Sequence, residues 1–330
     1  MKIRLIKSGM LTTIQDTGRF THLSQGVPHS GAMDSLSARI ANLAVGNTDR
    51  EAVIEFTYAQ ASFQAETALL VAYAGDGALL KIGQQILPRE RPLFIPSGAI
   101  ISLKATPHGA RTYLSIAGGW DIPDIMDSKS TYITASLGGF QGRALESGDI
   151  LCNKELFTAV SRKILHNLSG DHLNFPHWKL SRQSFLLNKK NTVRIVPGRE
   201  FTWFHGESVV DFLSKPYTLG LNSNRMGYRL KGPTLRRFVN KEILSTAVAP
   251  GTIQITGDGS TVLLMADCQT TGGYPRIAQV AAVDMPICGQ LKPNDLIYFS
   301  EISRNDAEKL YIQREQQLQK VALALKYKFS

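Results

Sequence analysis

The sequence predicts a mainly β protein built as two β-barrel-like halves with a few helices. Three observations carry that reading. Most apolar segments are short, rich in β-branched and aromatic residues, and bounded by turn residues, as strands are. A weak internal echo relates GRALESGDIL at 142–151 to GQLKPNDLI at 289–297. Each places an apolar residue, a turn, an Asp and an apolar strand at the close of a half of ordinary domain size. Against that background two segments stand out as helices.

Taken in order, strands are expected at 68–74, 92–95, 100–103 and 112–117 in the first half. In the second they are expected at 193–196, 252–256, 262–266 and 277–283. Gly-Asp-Gly at 75–77 and again at 257–259 sits beside a strand candidate each time, and Asp-Gly there fits a tight turn with positive φ. The first helix is DSLSARIANLAV at 34–45. Leu36, Ile40 and Leu43 fall on one face, and Gly46 offers a left-handed cap. The second helix opens on Ser303-Arg304-Asn305-Asp306, a capping box with Asp in place of Glu, and continues in strong helix formers. Its expected place is the surface, with one apolar face packed on a barrel. The two halves are expected at residues 1–155 and 191–330, joined by a polar, basic segment at 156–190 that is poor in strand pattern.

Composition excludes several classes. The 330 residues, 43% hydrophobic and 19% charged, suit two globular domains with a sizeable buried core. No apolar run reaches the roughly 18 residues a transmembrane helix needs, and the N-terminus has no apolar signal-peptide core. A cytoplasmic address is expected. Cys152, Cys268 and Cys288 are odd in number and form no C-x-x-C pair, against a disulfide framework or a cysteine zinc site. His166, His172 and His177 lack the spacing of ligands on one helical turn, so no metal is expected. Net charge is +10, but the basic residues are scattered, so neither nucleic acid nor a membrane is the expected partner. An anionic small substrate or an acidic partner protein fits the charge as well.

No phosphate loop, dinucleotide fingerprint or G-x-S-x-G elbow is present. Four polar clusters remain that core packing does not require. The first runs TTIQDTGR at 12–19 and the second GVPHSGAMD at 26–34, leading into the first helix. Ser30 and Gly31 would present free backbone N–H groups at that helix N-terminus, a natural anion site; Ser30 or Asp34 acting only as the cap explains them equally well. The third is NSNRMGYR at 222–229, where Arg225 and Arg229 could each fork a carboxylate or form a salt-bridged surface turn. The fourth is DCQTTGGYP at 267–275, expected as a strand end, a glycine turn and a strand restart at Ile277, with polar groups at the bend.

Together these clusters carry a resemblance. SGMLTTIQDTGR, GVPHSGAMDSLSARIANLAVGN, YLSIAGGWDIPDIMDSKST, GGFQGRALESGD, NSNRMGYRLKGP and ADCQTTGGYPRIAQV occur in this order from residue 8 to the second half's last strand. In that order they resemble the allophanate hydrolase subunit 2-like and KipA-like family, which includes the C-type subunit of 5-oxoprolinase and a carboxyltransferase part of urea carboxylase. The resemblance implies cyclophilin-like β-barrels and a KipI-like, B-type partner. In one implied chemistry, ATP-dependent opening of 5-oxoproline to glutamate involves a third, A-type component, and ATP is bound by the complex. In the other, a carboxyl group passes from biotin to an amide nitrogen. A regulatory reading, binding a KipI-like kinase inhibitor without catalysis, is the third.

Both chemistries act on an N–C=O group, needing donors for an oxygen that gains charge and an acceptor for the N–H. Arg225 and the backbone N–H groups of Gly272 and Gly273 are the expected donors, Asp267 the acceptor, and Gln269 a partner for a planar amide. Thr270, Thr271 and Tyr274 would line the pocket, with Ser30, Asp16 and Arg19 supporting it. The chain departs from the family pattern at Lys129 and Cys268, where Arg is expected, at Asn224, where Asp is expected, and at Thr246, where Glu is expected. Cys268 has no neighbouring base and no case as a nucleophile.

Overall fold

In the computed structural model, which describes residues 1–186, 191–239, 241 and 243–329, the chain divides into two compact units. One takes Met1–Gly18, Asp34–Phe185 and Gln316–Ser330; the other takes Arg19–Met33 and Leu186–Glu315.

In the first unit the chain runs β1 (Lys2–Ser8), β2 (Leu11–Gln15), α1 (Ser35–Ala44), β3 (Val53–Thr57), β4 (Ala61–Ala65) and β5 (Leu69–Gly75). It continues through β6 (Ala78–Ile82), β7 (Gln85–Ile86), β8 (Leu93–Ile95), β9 (Ile100–Ala105), β10 (Arg111–Ile116), β11 (Ile150–Cys152) and α2 (Ala159–Leu168). Two sheets result, ordered β11-β1-β4-β9-β6-β7 and β2-β3-β10-β5-β8. Both contribute to one apolar core that includes Ile3, Phe56, Phe63, Val71, Leu114 and Trp120. The expected barrel-like form is thus met here by two open sheets over a shared core. Strands β5 and β10 are buried at every position, because α1 packs on them across from that core. Burial on both faces is why ALLVAYA reads as a continuous apolar run and not as an alternation.

Asp34 caps α1 by accepting from the Ser37 N–H at 2.9 Å, and Gly46 takes the left-handed φ of 76° expected of it. A Cβ on Gly46 would meet Val160 at 2.7 Å, so glycine also lets α2 approach. That packing corrects the expected connector. Through Phe185 the stretch 156–190 belongs to the first unit, since Val160, Ile164 and Leu168 bury one face of α2. Residues 187–190 lie outside the described residues.

The second unit's chain runs β12 (Thr192–Pro197), α3 (Gly206–Ser214), β13 (Tyr217–Leu219), β14 (Gly227–Lys231), β15 (Thr246–Ala247) and β16 (Thr252–Ile255). After them come β17 (Thr261–Leu264), β18 (Thr271–Gly272), β19 (Arg276–Val280), α4 (Met285–Gln290), β20 (Leu296–Glu301) and α5 (Arg304–Lys328), whose last residues fall in the first unit. Seven strands close a barrel in the order β12-β19-β16-β17-β14-β13-β20. β12 and β20 run parallel where they meet. Phe212 of α3 stacks on Phe299 of β20 at 4.8 Å between ring centroids, an arrangement that adds to burial.

Ser303 caps α5 as expected, its hydroxyl accepting from the Asp306 N–H at 3.1 Å, but the Asp306 carboxylate answers to that hydroxyl at 2.7 Å and not to the Ser303 N–H of a full capping box. The turn echo also has a structural basis. Asp149 accepts from the Glu146 N–H and Asp295 from the Lys292 N–H, each just before its strand. Gly259 takes the positive φ expected of its Asp-Gly turn, whereas in the first turn it is Gly75, before the Asp, and not Gly77 that does. The stretch at 264–280 differs from a simple hairpin, because β17 and β19 do not pair. Both pair with β16, which lies between them. No helix among the described residues is long and apolar enough to cross a membrane.

Candidate functional site

Asp16, just past β2, receives four hydrogen bonds on its carboxylate. They come from the Gly18 N–H at 2.8 Å, the Ser128 hydroxyl at 2.7 Å, the Lys129 N–H at 2.7 Å and the Ser130 hydroxyl at 2.5 Å. Ser128 and Ser130 are themselves buried. Asp16 therefore ties its own loop to a partner loop within the first unit, and DSKST is half of that tie. The anion site expected at the N-terminus of α1 is taken by the protein itself. Asp34 accepts from the N–H and hydroxyl of Ser37 and from Arg182 at 3.0 Å, so the helix end already holds a carboxylate.

The second unit brings Arg225 and Asp267 together. The Arg225 Nε donates to Asp267 Oδ2 at 2.8 Å and Nη2 to Oδ1 at 3.0 Å, a bidentate fork. Both side chains are nearly fully buried. Nη2 also donates to the Gly31 carbonyl at 2.6 Å, and the Asp267 N–H donates to the Arg225 carbonyl at 2.8 Å. Both oxygens of Asp267 thus face a guanidinium, leaving neither turned to a substrate N–H. Arg19 is buried, with its N–H on the His29 carbonyl at 2.7 Å. Ser30 has a left-handed φ of 55°, and its buried hydroxyl has no hydrogen-bond partner among the described residues.

Beside that pair, strands β14, β16 and β17 and their turns line an open groove of about 1130 Å³. Of the expected residues, Gln269 and Tyr274 line it; both are exposed. Arg229 and Lys231 occupy the outward positions of β14 and also line it. Neither has an acidic partner among the described residues. Besides Lys231, Gln254 is the residue that motif reasoning misses. It is buried, lines the groove and donates from Nε2 to the Tyr274 carbonyl at 3.3 Å. A polar side chain inside the otherwise strand-like TIQI was the available signal. Gly272 is explained by the same contact: a Cβ there would stand 2.6 Å from Gln254 Nε2. Close approach, and not positive φ, is what this position requires.

Thr271 and Gly272 form β18, paired with Thr246 and Ala247, and the Thr270 carbonyl accepts from the Val248 N–H at 3.0 Å. Gly273 follows, exposed. Asn224 keeps the acceptor an Asp would offer: its Oδ1 takes the N–H groups of Met226 and Gly227. Cys268 is buried, and burial, with the Asp267 charge adding to it, pushes its thiol up to about 12. Such a thiol is inert at neutral pH. Among the described residues no group of three or more His, Cys, Asp or Glu side chains is placed to hold a metal.

A seven-stranded barrel with a polar groove, following a two-sheet unit in one chain, has counterparts among known proteins. The chain belongs to the carboxyltransferase domain family, subdomain A and B, which matches residues 25–301. Among its relatives, the C subunit of 5-oxoprolinase from Escherichia coli (strain K12) is 33% identical over 323 residues, covering 98% of both chains. The crystal structure of the K. lactis urea amidolyase superimposes with a TM-score of 0.84 at 28% identity, covering 97% of this chain and 20% of that one. The Kluyveromyces lactis urea carboxylase gives the same TM-score at 27% identity, over 97% of this chain and 29% of that one. The chain therefore spans less than a third of those two fungal proteins.

Proposed function

We propose that this chain is the C-type component of an ATP-dependent 5-oxoprolinase, working with a KipI-like B-type partner and an A-type partner to open 5-oxoproline to glutamate. The observation that carries this reading is the pair of cations in the groove. Arg229 and Lys231 stand without acidic partners among the described residues, in a groove also lined by the amides of Gln254 and Gln269 and by Asp258, which is bound to Ser260 of its own turn. 5-Oxoproline is an anion with a lactam, so its carboxylate meets a guanidinium fork or an ammonium. Its planar amide meets side chains that both donate and accept. The full-length similarity to the Escherichia coli protein supports the same choice.

In this reading Asp267 is a positioning residue: it holds Arg225, and Arg225 holds Gly31. Gln269, Tyr274 and Gln254 face the substrate, and Gly272 leaves room for the Gln254 amide beside it. ATP is bound by the complex. The second reading, a carboxyltransferase component of a biotin-dependent urea or amide carboxylase, is favoured by the similarity to the fungal carboxylase. Urea is neutral, so in that reading the two cations would meet the carboxylate carried on biotin, and the similarity over 98% of both chains to the 5-oxoprolinase subunit is what favours the first reading.

Reconstitution with the A-type and B-type partners tests the choice. ATP-dependent glutamate formation from 5-oxoproline is expected. Arg229→Ala should raise KM by about tenfold, the loss of one charge-assisted hydrogen bond, with kcat little changed. Carboxylation of urea in the presence of a biotin carboxylase and carrier, without turnover of 5-oxoproline, would establish the second reading. A stable complex inert towards both would point to a regulatory protein.

A further inference from the structure

In the first unit, two lysines share one carboxylate oxygen. Lys129 Nζ lies 3.3 Å and Lys154 Nζ 3.6 Å from Glu51 Oε2. All three side chains are largely shielded, at 14%, 22% and 27% exposure. The carboxylate is hemmed in by backbone, since a Cβ on Gly119 would stand 2.6 Å from the same oxygen. Lys154 is fixed in turn by its N–H on the Gly119 carbonyl at 3.0 Å. Asp124 is the other charge acting on this group, and it acts on Lys129.

Two ammonium groups facing one carboxylate repel each other, and the repulsion is relieved when one of them gives up its proton. The environment decides which. Burial opposes the charge on Lys129, but its contacts with Lys154 and Glu51 outweigh burial and hold it above the usual lysine range. Burial, followed by the contact with Lys129, holds Lys154 below that range. Lys154 is also the farther of the two from the carboxylate, at 3.6 against 3.3 Å, and the more exposed, at 22% against 14%, so it is the one placed to become a neutral amine, with an ammonium beside it to steady an oxygen that gains charge.

We propose that Lys154 is a modification site, the amine of this chain that acyl phosphates acylate first. The Nζ lone pair attacks the acyl carbonyl and an N–C amide bond forms. The bond from the acyl carbon to the phosphate oxygen breaks, phosphate leaves with the electron pair, and the displaced proton goes to phosphate or solvent. Acylation also removes one of the two competing cations, leaving Glu51 to Lys129 alone.

Incubating the full-length protein with acetyl phosphate across a pH series, and quantifying each lysine by peptide mass spectrometry, tests this. At near-neutral pH Lys154 should be acetylated about threefold or more faster than the exposed Lys104 and Lys320, because its neutral fraction is larger. Lys129→Met should shrink that advantage severalfold, and Glu51→Gln should keep or enlarge it. Equal rates at Lys154, Lys104 and Lys320 in the unaltered protein would overturn the proposal. So would preferential labelling of Lys129.

Discussion

Asp16 in the first unit is saturated by four donors from its own and a neighbouring loop. Arg229 and Lys231 on the second unit's barrel face a groove with no acidic partner among the described residues. Asp16 and Arg229 lie in polar clusters that look alike in the sequence, and Lys231 follows the second of these two by two residues. The first unit extends the pattern from its interior outward, where the buried Asp34 and Arg182 join the more exposed Asp76 and Arg89 in a run of ion pairs. Next to it the Tyr113 hydroxyl donates to Glu55 at 2.8 Å. There polar groups satisfy one another and specify packing. In the second unit Arg225, Arg194 and Arg276 are paired in the same way, but Arg229 and Lys231 stay available, and availability is what a ligand requires.

The comparison predicts unequal costs. The largest falls on Arg225→Ala, which leaves the Asp267 charge buried and unpaired; about 3–5 kcal/mol of stability should be lost, read as a shift in the urea midpoint. An unshifted midpoint would mean the fork contributes nothing to the fold. Asp16→Ala comes next, at about 2–3 kcal/mol, because two buried seryl hydroxyls and two N–H groups lose their acceptor together. Were its midpoint unchanged while turnover fell, Asp16 would belong with the groove residues instead.

The smallest effect concerns Asp149. Hydrogen bonds from Arg143 hold its carboxyl below the usual range, with Nη1 and Nη2 at 2.7 and 2.8 Å. The folded state therefore takes up this proton less readily than the unfolded chain. Its contribution is complete above the ordinary carboxylate range and fades as pH falls through the lowered value. Asp149→Asn should cost about 1 kcal/mol at neutral pH, with the gap to the unaltered protein closing in acid. A gap independent of pH would show that shape, and not charge, is what the turn uses.

Local chemistry was legible in the sequence: the Ser303 cap, the Asp34 helix start and the positive φ of Gly46 and Gly259 all follow from neighbouring residues. The strand runs were legible for the same reason. Pairings at long separation were not. Nothing local tells Arg225 that Asp267 lies 42 residues on, or Asp16 that its serines lie 112 and 114 residues on. That β16 would insert between β17 and β19 was equally hidden, since adjacency along the chain suggests a hairpin. The groove was half legible. Gln269 and Tyr274 sit in a motif, while Gln254 stands alone in a strand and becomes visible only when three strands meet.

The excursion of Arg19–Met33 into the second unit has a consequence for synthesis. These residues leave the ribosome early, yet the rest of their unit begins only at Leu186. At ordinary elongation rates that is a wait on the order of ten seconds, with Met33, which packs in the second unit's core, among the side chains kept waiting. Two domains strung end to end could each finish folding as they emerged. This chain must hold a loop in reserve, and no single cut yields two complete halves.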